Sequence, residues 1–176
     1  MPNFYYSTIH PSPLGQLTLA SDGEALVGLW LPGQKYFGAT APGAWAPAEE
    51  LPVFLEAKAW LDAYFAGEQP EISQLNLSPA GSTFRQMVWE MLREIPYGKT
   101  TTYGEIAQKV AARWGKRSMS AQAVGGAVGH NPISLIIPCH RVVGAGGRLT
   151  GYAGGLDKKI WLLRHEGVPV SGDGLG

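Results

Sequence analysis

TTTYGEIAQKVAARWGKRSMSAQAVGGAVGHNP, Thr100 to Pro132, contains the start of one helix, its end, and the start of another. Thr102 and Glu105 fit the T-x-x-E capping pattern, in which the Thr oxygen accepts from an orphan N–H of the first helical turn. Ile106, Ala107, Val110 and Ala111 then share one helical stripe, the face expected to pack inward. Gly115 supplies a stop, Lys116 and Arg117 follow it, and Ser118 or Ser120 is placed to cap a short helix over Ala121–Val128. Two helices joined by a short glycine-bearing turn predict a helix-turn-helix. The second is nearly all Ala, Gly and Val. Small side chains let a helix lie close to a surface, and Lys116 and Arg117 can hold a phosphate beside it. Plain helix–helix packing accounts for the same small residues, so this segment alone leaves both readings open.

Upstream, TFRQMVWEMLRE (Thr83 to Glu94) places Phe84, Val88, Met91 and Leu92 on one stripe, expected as core and ended by a turn at Ile95-Pro96-Tyr97-Gly98. The polar stretch EQPEISQLNLSPAGS, with Pro70 and Pro79, reads as a domain boundary. Before it the chain reads as strands: FYYSTIH, a turn at Ser12–Gly15, the alternating QLTLAS, a turn at Asp22-Gly23, and the apolar ALVGLWL. Residues 32–48, rich in Pro, Gly and Ala, are expected to form a loop. From Leu51, the positions Val53, Phe54, Ala57, Trp60, Leu61, Tyr64 and Phe65 recur at helical spacing up to Gly67. The expected class is α/β of the α+β kind. A small sheet-and-helix scaffold spans residues 1–78, a helical domain with helix-turn-helix spans 79–170, and residues 171–176 form a tail.

A chain of 176 residues with 45% hydrophobic and 16% charged side chains is long and apolar enough for a packed core. No apolar run approaches the roughly 20 residues of a membrane helix, and MPNFYYSTIH lacks the pattern of a signal peptide. The formal net charge of zero hides an asymmetry. Residues 1–80 carry Lys35 and Lys58 against eight acidic side chains, a net of −6, while residues 81–176 carry twelve basic and six acidic ones, a net of +6. The basic half is the one expected to face a polyanion.

The single cysteine, Cys139, lies in IIPCHRVVG. It cannot form an internal disulfide, which favours a reducing compartment, the cytoplasm. A lone cysteine is ordinarily a small buried hydrophobe. Here Pro138 interrupts regular hydrogen bonding, and His140 and Arg141 follow, positive neighbours expected to lower the thiol's pKa. The four histidines (10, 130, 140, 165) and Cys139 show no paired-ligand spacing, so no metal is expected. The glycine-rich stretches match no phosphate-binding fingerprint, so no nucleotide cofactor is implied. A Cys-His hydrolase and a DNA-binding regulatory module with a structural cysteine both stand as readings of these residues.

GHNPISLIIPCHRVVG, followed by TGYAGG and WLLRHEG, closely resembles the O6-alkylguanine-DNA alkyltransferases, also called methylated-DNA–protein-cysteine methyltransferases. The resemblance is strong over residues 81–167 and general in layout before them. Related non-enzymatic proteins carry tryptophan where this chain keeps Cys139. The resemblance implies that Cys139 accepts the alkyl group, with His140 linking it through water to Glu166 in a relay that deprotonates the thiol. It implies that Asn131 fixes the active-site turn, that the Tyr103 hydroxyl donates to the flipped base, and that Tyr152 lines the base pocket with Val128. At Ala153, where many relatives carry serine, the backbone N–H remains to donate to O6. The carbonyls of Val142 and Cys139 would accept from the guanine amino group. Ser120, Ala121 and Gln122 open the helix placed at the minor groove, with Gln122 where many relatives carry an intercalating arginine, and Lys116 and Arg117 nearby. The implied partner is duplex DNA holding O6-alkylguanine, with O4-alkylthymine a second candidate substrate. The implied protein is a monomer without cofactor or membrane, and each molecule acts once because nothing removes the alkyl group.

Overall fold

The computed structural model describes residues 4–172 and 174–175. The chain forms two compact units, one reaching to Ala80 and taking in Pro132–Ile136, the other built from Gly81–Asn131 and the chain from Ile137 onward.

In the first unit, β1 (Phe4–His10), β2 (Leu17–Ser21), β3 (Leu26–Trp30) and β4 (Ala44–Pro47) make a sheet ordered β3-β2-β1-β4. The β1–β2 and β2–β3 pairs are antiparallel. Their turns are those expected: the Gly15 N–H donates to the Ser12 carbonyl at 3.0 Å, and Asp22 Oδ1 accepts from the N–H groups of Glu24 and Ala25 at 2.9 Å each. Helix α1 (Pro52–Phe65) buries Val53, Phe54, Ala57, Trp60, Leu61 and Tyr64, the expected stripe except for Phe65, which is half-buried. The loop expected over residues 32–48 contains a strand, because β4 runs parallel to β1 with Trp45 opposite Tyr5. Trp45 stacks on Trp30 with ring centroids 5.6 Å apart. This edge strand is held by its neighbours and not by its own alternation, and its Pro47 is tolerated because an edge needs fewer donors. Gly28 is required in the middle of β3, since a Cβ there would lie 2.0 Å from the Trp30 ring.

The edge of β3 away from β2 is not bare. The Leu29 N–H donates to the Pro132 carbonyl at 2.8 Å, and the Ser134 N–H donates to the Leu29 carbonyl at 3.0 Å. Buried Gln34 accepts through Oε1 from the Leu31 N–H and the Ser134 hydroxyl, both at 3.0 Å. The scaffold therefore grips the segment that leads into Pro138-Cys139.

The second unit opens with α2 (Thr83–Arg93), capped by Ser82, which accepts from the Arg85 N–H at 3.2 Å. Val88, Met91 and Leu92 are buried, but Phe84 is half-buried against Trp114. The short strand β5 (Thr101–Thr102) leads into α3 (Tyr103–Arg113). Thr102 Oγ1 accepts from the Glu105 N–H at 3.1 Å, while the Glu105 carboxylate accepts from the Thr101 hydroxyl at 2.8 Å. Helix α4 (Ala121–Gly129) is capped by Ser120, whose hydroxyl accepts from the Ala123 N–H at 3.2 Å. Trp89 Nε1 donates to the Ala127 carbonyl at 2.8 Å, tying α2 to α4. The strand β6 (Val142–Val143) pairs parallel with β5, and α5 (Leu156–His165) follows. The expected tail is folded back where it is described: β7 (Val170–Ser171) pairs with β8 (Gly174–Leu175), and Leu175 packs with Val143, Leu149 and Leu163.

Candidate active site

Pro138 lies just before a single 3₁₀ turn, Cys139–Arg141, all three of whose side chains are buried. Asn131, at the end of the helix-turn-helix, donates from Nδ2 to the Ile137 carbonyl at 2.8 Å. The Cys139 N–H donates to the same carbonyl at 2.8 Å. Asn131 therefore closes the loop that presents the thiol. Leu135, fully buried just upstream, sits at φ +70°, a left-handed backbone that a branched side chain rarely adopts.

Behind Cys139 lies a buried chain of charges. Glu166, the residue after α5, faces His140 Nε2 at 2.6 Å from its Oε2. It also accepts from Arg141 Nε at 2.8 Å and Nη2 at 3.1 Å, and from the Gly98 N–H at 3.0 Å. Arg141 Nη1 donates to the Ile95 carbonyl at 2.7 Å. Burial alone would raise the carboxyl pKa, but the hydrogen bonds of His140 and Arg141 and the Arg141 charge hold Glu166 well below the usual carboxylate range. Burial pushes His140 below its ordinary value despite Glu166. The imidazole is then neutral, its Nε2–H donates to Glu166, and Nδ1 is an acceptor with no hydrogen-bond partner among the described residues.

The thiol itself departs from expectation. Burial raises the Cys139 pKa, against the lowering expected from His140 and Arg141. Arg141 turns to Glu166 and His140 is uncharged, so neither supplies the field that adjacency suggested. What favours the thiolate is hydrogen bonding by Asn131 and Tyr152, together with the charge of Lys159. Tyr103 is half-buried, and its hydroxyl accepts from Thr150 Oγ1 at 3.4 Å. Burial raises its pKa, Thr150 opposes this and Cys139 adds to it, so the phenol stays a donor.

Two family descriptions match the chain: the ribonuclease-like domain of 6-O-methylguanine DNA methyltransferase over residues 4–79, and its DNA-binding domain over residues 83–168. A methylated-DNA–protein-cysteine methyltransferase of Haemophilus influenzae is 43% identical over 165 residues, 93% of this chain and 87% of that protein. One from Methanosarcina acetivorans is 45% identical over 163 residues, 92% of this chain and 98% of that protein. The crystal structure of Mycobacterium tuberculosis OGT in complex with DNA superposes with a TM-score of 0.76 at 44% identity, covering 93% of this chain and 92% of that one. The chain belongs to the methylated-DNA–protein-cysteine methyltransferase family.

Within this family member, Asn131, Tyr152 and Tyr103 adjoin Cys139 through the bonds and charges described above, and Glu166 holds His140, the next residue in the chain. Val142 is buried in β6, Val128 on the inward face of α4, and Ala153 is half-buried in the turn before α5. Ser120, Ala121 and Gln122 lie at the start of α4, the last two exposed and the capping Ser120 also open to solvent, with Lys116 and Arg117 exposed just before it. Lys116 Nζ lies 5.0 Å above the Trp114 ring, and a groove lined by Lys116, Arg117, Ser118 and Ala121 runs along α3. Sequence reasoning missed Arg141 as the partner of Glu166, and missed Lys159 entirely. A signal for Lys159 was present, since Lys159, Leu162, Leu163 and Glu166 share one helical stripe of α5. Among the described residues, no group of three or more His, Cys, Asp or Glu side chains is placed to hold a metal ion, and no helix is long and apolar enough to cross a membrane.

Proposed function

We propose that this chain repairs duplex DNA by taking the alkyl group of O6-alkylguanine onto Cys139 Sγ, once per molecule. The observation that carries the reading is the buried thiol followed directly by a neutral imidazole, whose far nitrogen is fixed by Glu166 at 2.6 Å and whose near nitrogen has no partner among the described residues. The exposed start of α4 meets the minor groove, with Gln122 filling the gap left by the flipped nucleotide and Lys116 and Arg117 against phosphates. The Tyr103 hydroxyl and the Ala153 N–H donate to the guanine as negative charge builds on it. The carbonyls of Cys139 and Val142 accept from the amino group, while Val128 and Tyr152 close the pocket.

The Cys139 proton passes to His140 Nδ1 through one water, and Glu166 stabilises the imidazolium that results. Sulphur then attacks the alkyl carbon and displaces O6: the S–C bond forms, the C–O6 bond breaks, its electron pair stays on the guanine, which takes a proton at N1 from solvent, and His140 returns the thiol's proton to solvent. The same displacement is open to O4-alkylthymine. The product is a thioether, and with no second cysteine in the chain the alkyl group stays. One copy carries every residue invoked, so a monomer suffices, and a reducing cytoplasm preserves the thiol.

Incubation with duplex DNA containing O6-methylguanine, followed by peptide mass analysis, tests this. The expected result is one methyl on the peptide holding Cys139, with one guanine restored per protein. An unmodified peptide with continuing turnover would instead indicate a hydrolase, and DNA binding without transfer would indicate a regulatory module.

A further inference from the structure

Lys159 is a fully buried ammonium on α5, and among the described residues its Nζ has no hydrogen-bond partner. The Tyr103 ring faces it from 6.0 Å. A buried cation without a counter-ion is costly, so an anion that forms beside it is stabilised.

Helix α5 packs on the Cys139–Arg141 turn, to which Glu166 also bonds through His140, and the charges around Cys139 identify that anion. From its own turn come His140, neutral, and Arg141, whose guanidinium is matched by Glu166 through two hydrogen bonds. From α5 comes Lys159 and from the residue after it Glu166, from α3 the phenol of Tyr103, and Tyr152 and Asn131 are uncharged hydrogen-bonding groups. Glu166 and Arg141 cancel, which leaves Lys159 as the uncompensated charge of this group. We propose that Lys159 is the counter-charge of the Cys139 thiolate, neutralising the sulphur anion that forms when the proton leaves.

The coupling is reciprocal, as a physical pair requires. Burial lowers the Lys159 pKa from 10.5 to about 8, and Cys139 is the one group that opposes this. Lys159 in turn favours the thiolate against the burial that raises it. At neutral pH the ammonium is charged and waiting, and deprotonation of the thiol creates a buried ion pair without bringing in any new charge. Methyl transfer removes the anion and leaves the cation alone again.

The inference rests on Cys139 as the nucleophile, but its test uses a small reagent in place of DNA. The rate of Cys139 alkylation by iodoacetamide is followed against pH in the full chain and in Lys159→Met, Lys159→Gln and Lys159→Arg. In the Met and Gln variants the midpoint should rise by at least about one unit, a tenfold loss of thiolate at pH 7. The Arg variant should stay within a few-fold of the parent. Affinity for duplex DNA, measured by fluorescence anisotropy, should be unchanged in all of them. A second measurement needs no variant. The Lys159 ammonium is titrated by ¹⁵N NMR before and after methyl iodide has blocked Cys139, and its pKa should fall once the partner is gone. An unmoved thiol midpoint in a folded Met or Gln variant, or an unmoved ammonium titration after blocking, overturns the proposal and leaves the repair reading intact. Shifted profiles in a protein that takes no methyl group from DNA would keep the ion pair and refute the repair reading instead.

Discussion

Glu166→Gln removes one charge at the point where three elements meet. The carboxylate accepts four hydrogen bonds: from His140, from Arg141 twice, and from the Gly98 N–H. A glutamine has one accepting oxygen, and its NH₂ group must face either the Arg141 Nη2 and His140 side or the Arg141 Nε and Gly98 side. In both placements two donors confront a donor. Arg141 then keeps the Ile95 carbonyl, at 2.7 Å, and only one of its two bonds to residue 166. Breaking a buried pair by removing one member costs about 3–5 kcal/mol. For a chain of 176 residues that is roughly a 10 °C fall in Tm, at about 2–4 °C per kcal/mol.

The pH dependence has a definite sign. Glu166 titrates lower in the folded state than in the unfolded one. Its stabilisation is therefore complete above the unfolded carboxyl value and is lost as pH falls below about 4.3 toward the folded one. The variant should lack this acid limb. His140 can no longer be stabilised as an imidazolium, so single-turnover transfer from an O6-methylguanine duplex should slow by about 10²–10⁴. Urea unfolding at pH 7 and at pH 4, together with the single-turnover rate, decides the matter. A variant within about 1 kcal/mol of the parent, the top of the range for an exposed pair, and reacting at the parental rate would refute the account of this buried chain.

Lys159→Met should stabilise the protein at pH 7 by up to roughly 3 kcal/mol, the fall from 10.5 to about 8 at about 1.4 kcal/mol per pKa unit. The parent should gain stability between pH 8 and 10.5, where the unfolded chain holds a proton that the folded one has released, and the variant should lack that gain in calorimetry. Gln122→Ala should slow repair of duplex DNA more than reaction with free O6-benzylguanine, because only the duplex demands flipping; equal slowing would exclude Gln122 as the wedge. Gln122→Arg should tighten duplex binding and steepen its salt dependence by up to about one unit of slope. Lys116→Ala combined with Arg117→Ala should flatten the salt slope by nearly two, about 0.9 for each phosphate no longer neutralised, and an unchanged slope would remove these side chains from the interface.

Local chemistry was legible in the sequence because it acts within a few residues. Thr102 and Ser120 cap the helices they precede because a hydroxyl reaches an N–H three positions on. The stripes of α1 and α3 are buried because their spacing matches the helical period. The Pro-Cys-His-Arg run and the Asn131 and Glu166 motifs were enough to name the family to which the chain belongs. Tertiary structure decided what depends on distant partners and on exclusion of water. The strand β4 exists because Trp45 finds Trp30 and β1 finds an edge partner, and no alternation in residues 44–47 announces it. Close in sequence, Cys139 and Arg141 suggested a thiol activated by its neighbour, yet Arg141 reaches a carboxylate 25 residues away and burial raises the thiol instead. Desolvation depends on everything packed around a group, so the direction of a pKa shift cannot be read from the two residues beside it. For the same reason Lys159 reads as an ordinary helix lysine until α5 is docked, when it becomes a buried charge over the Tyr103 ring.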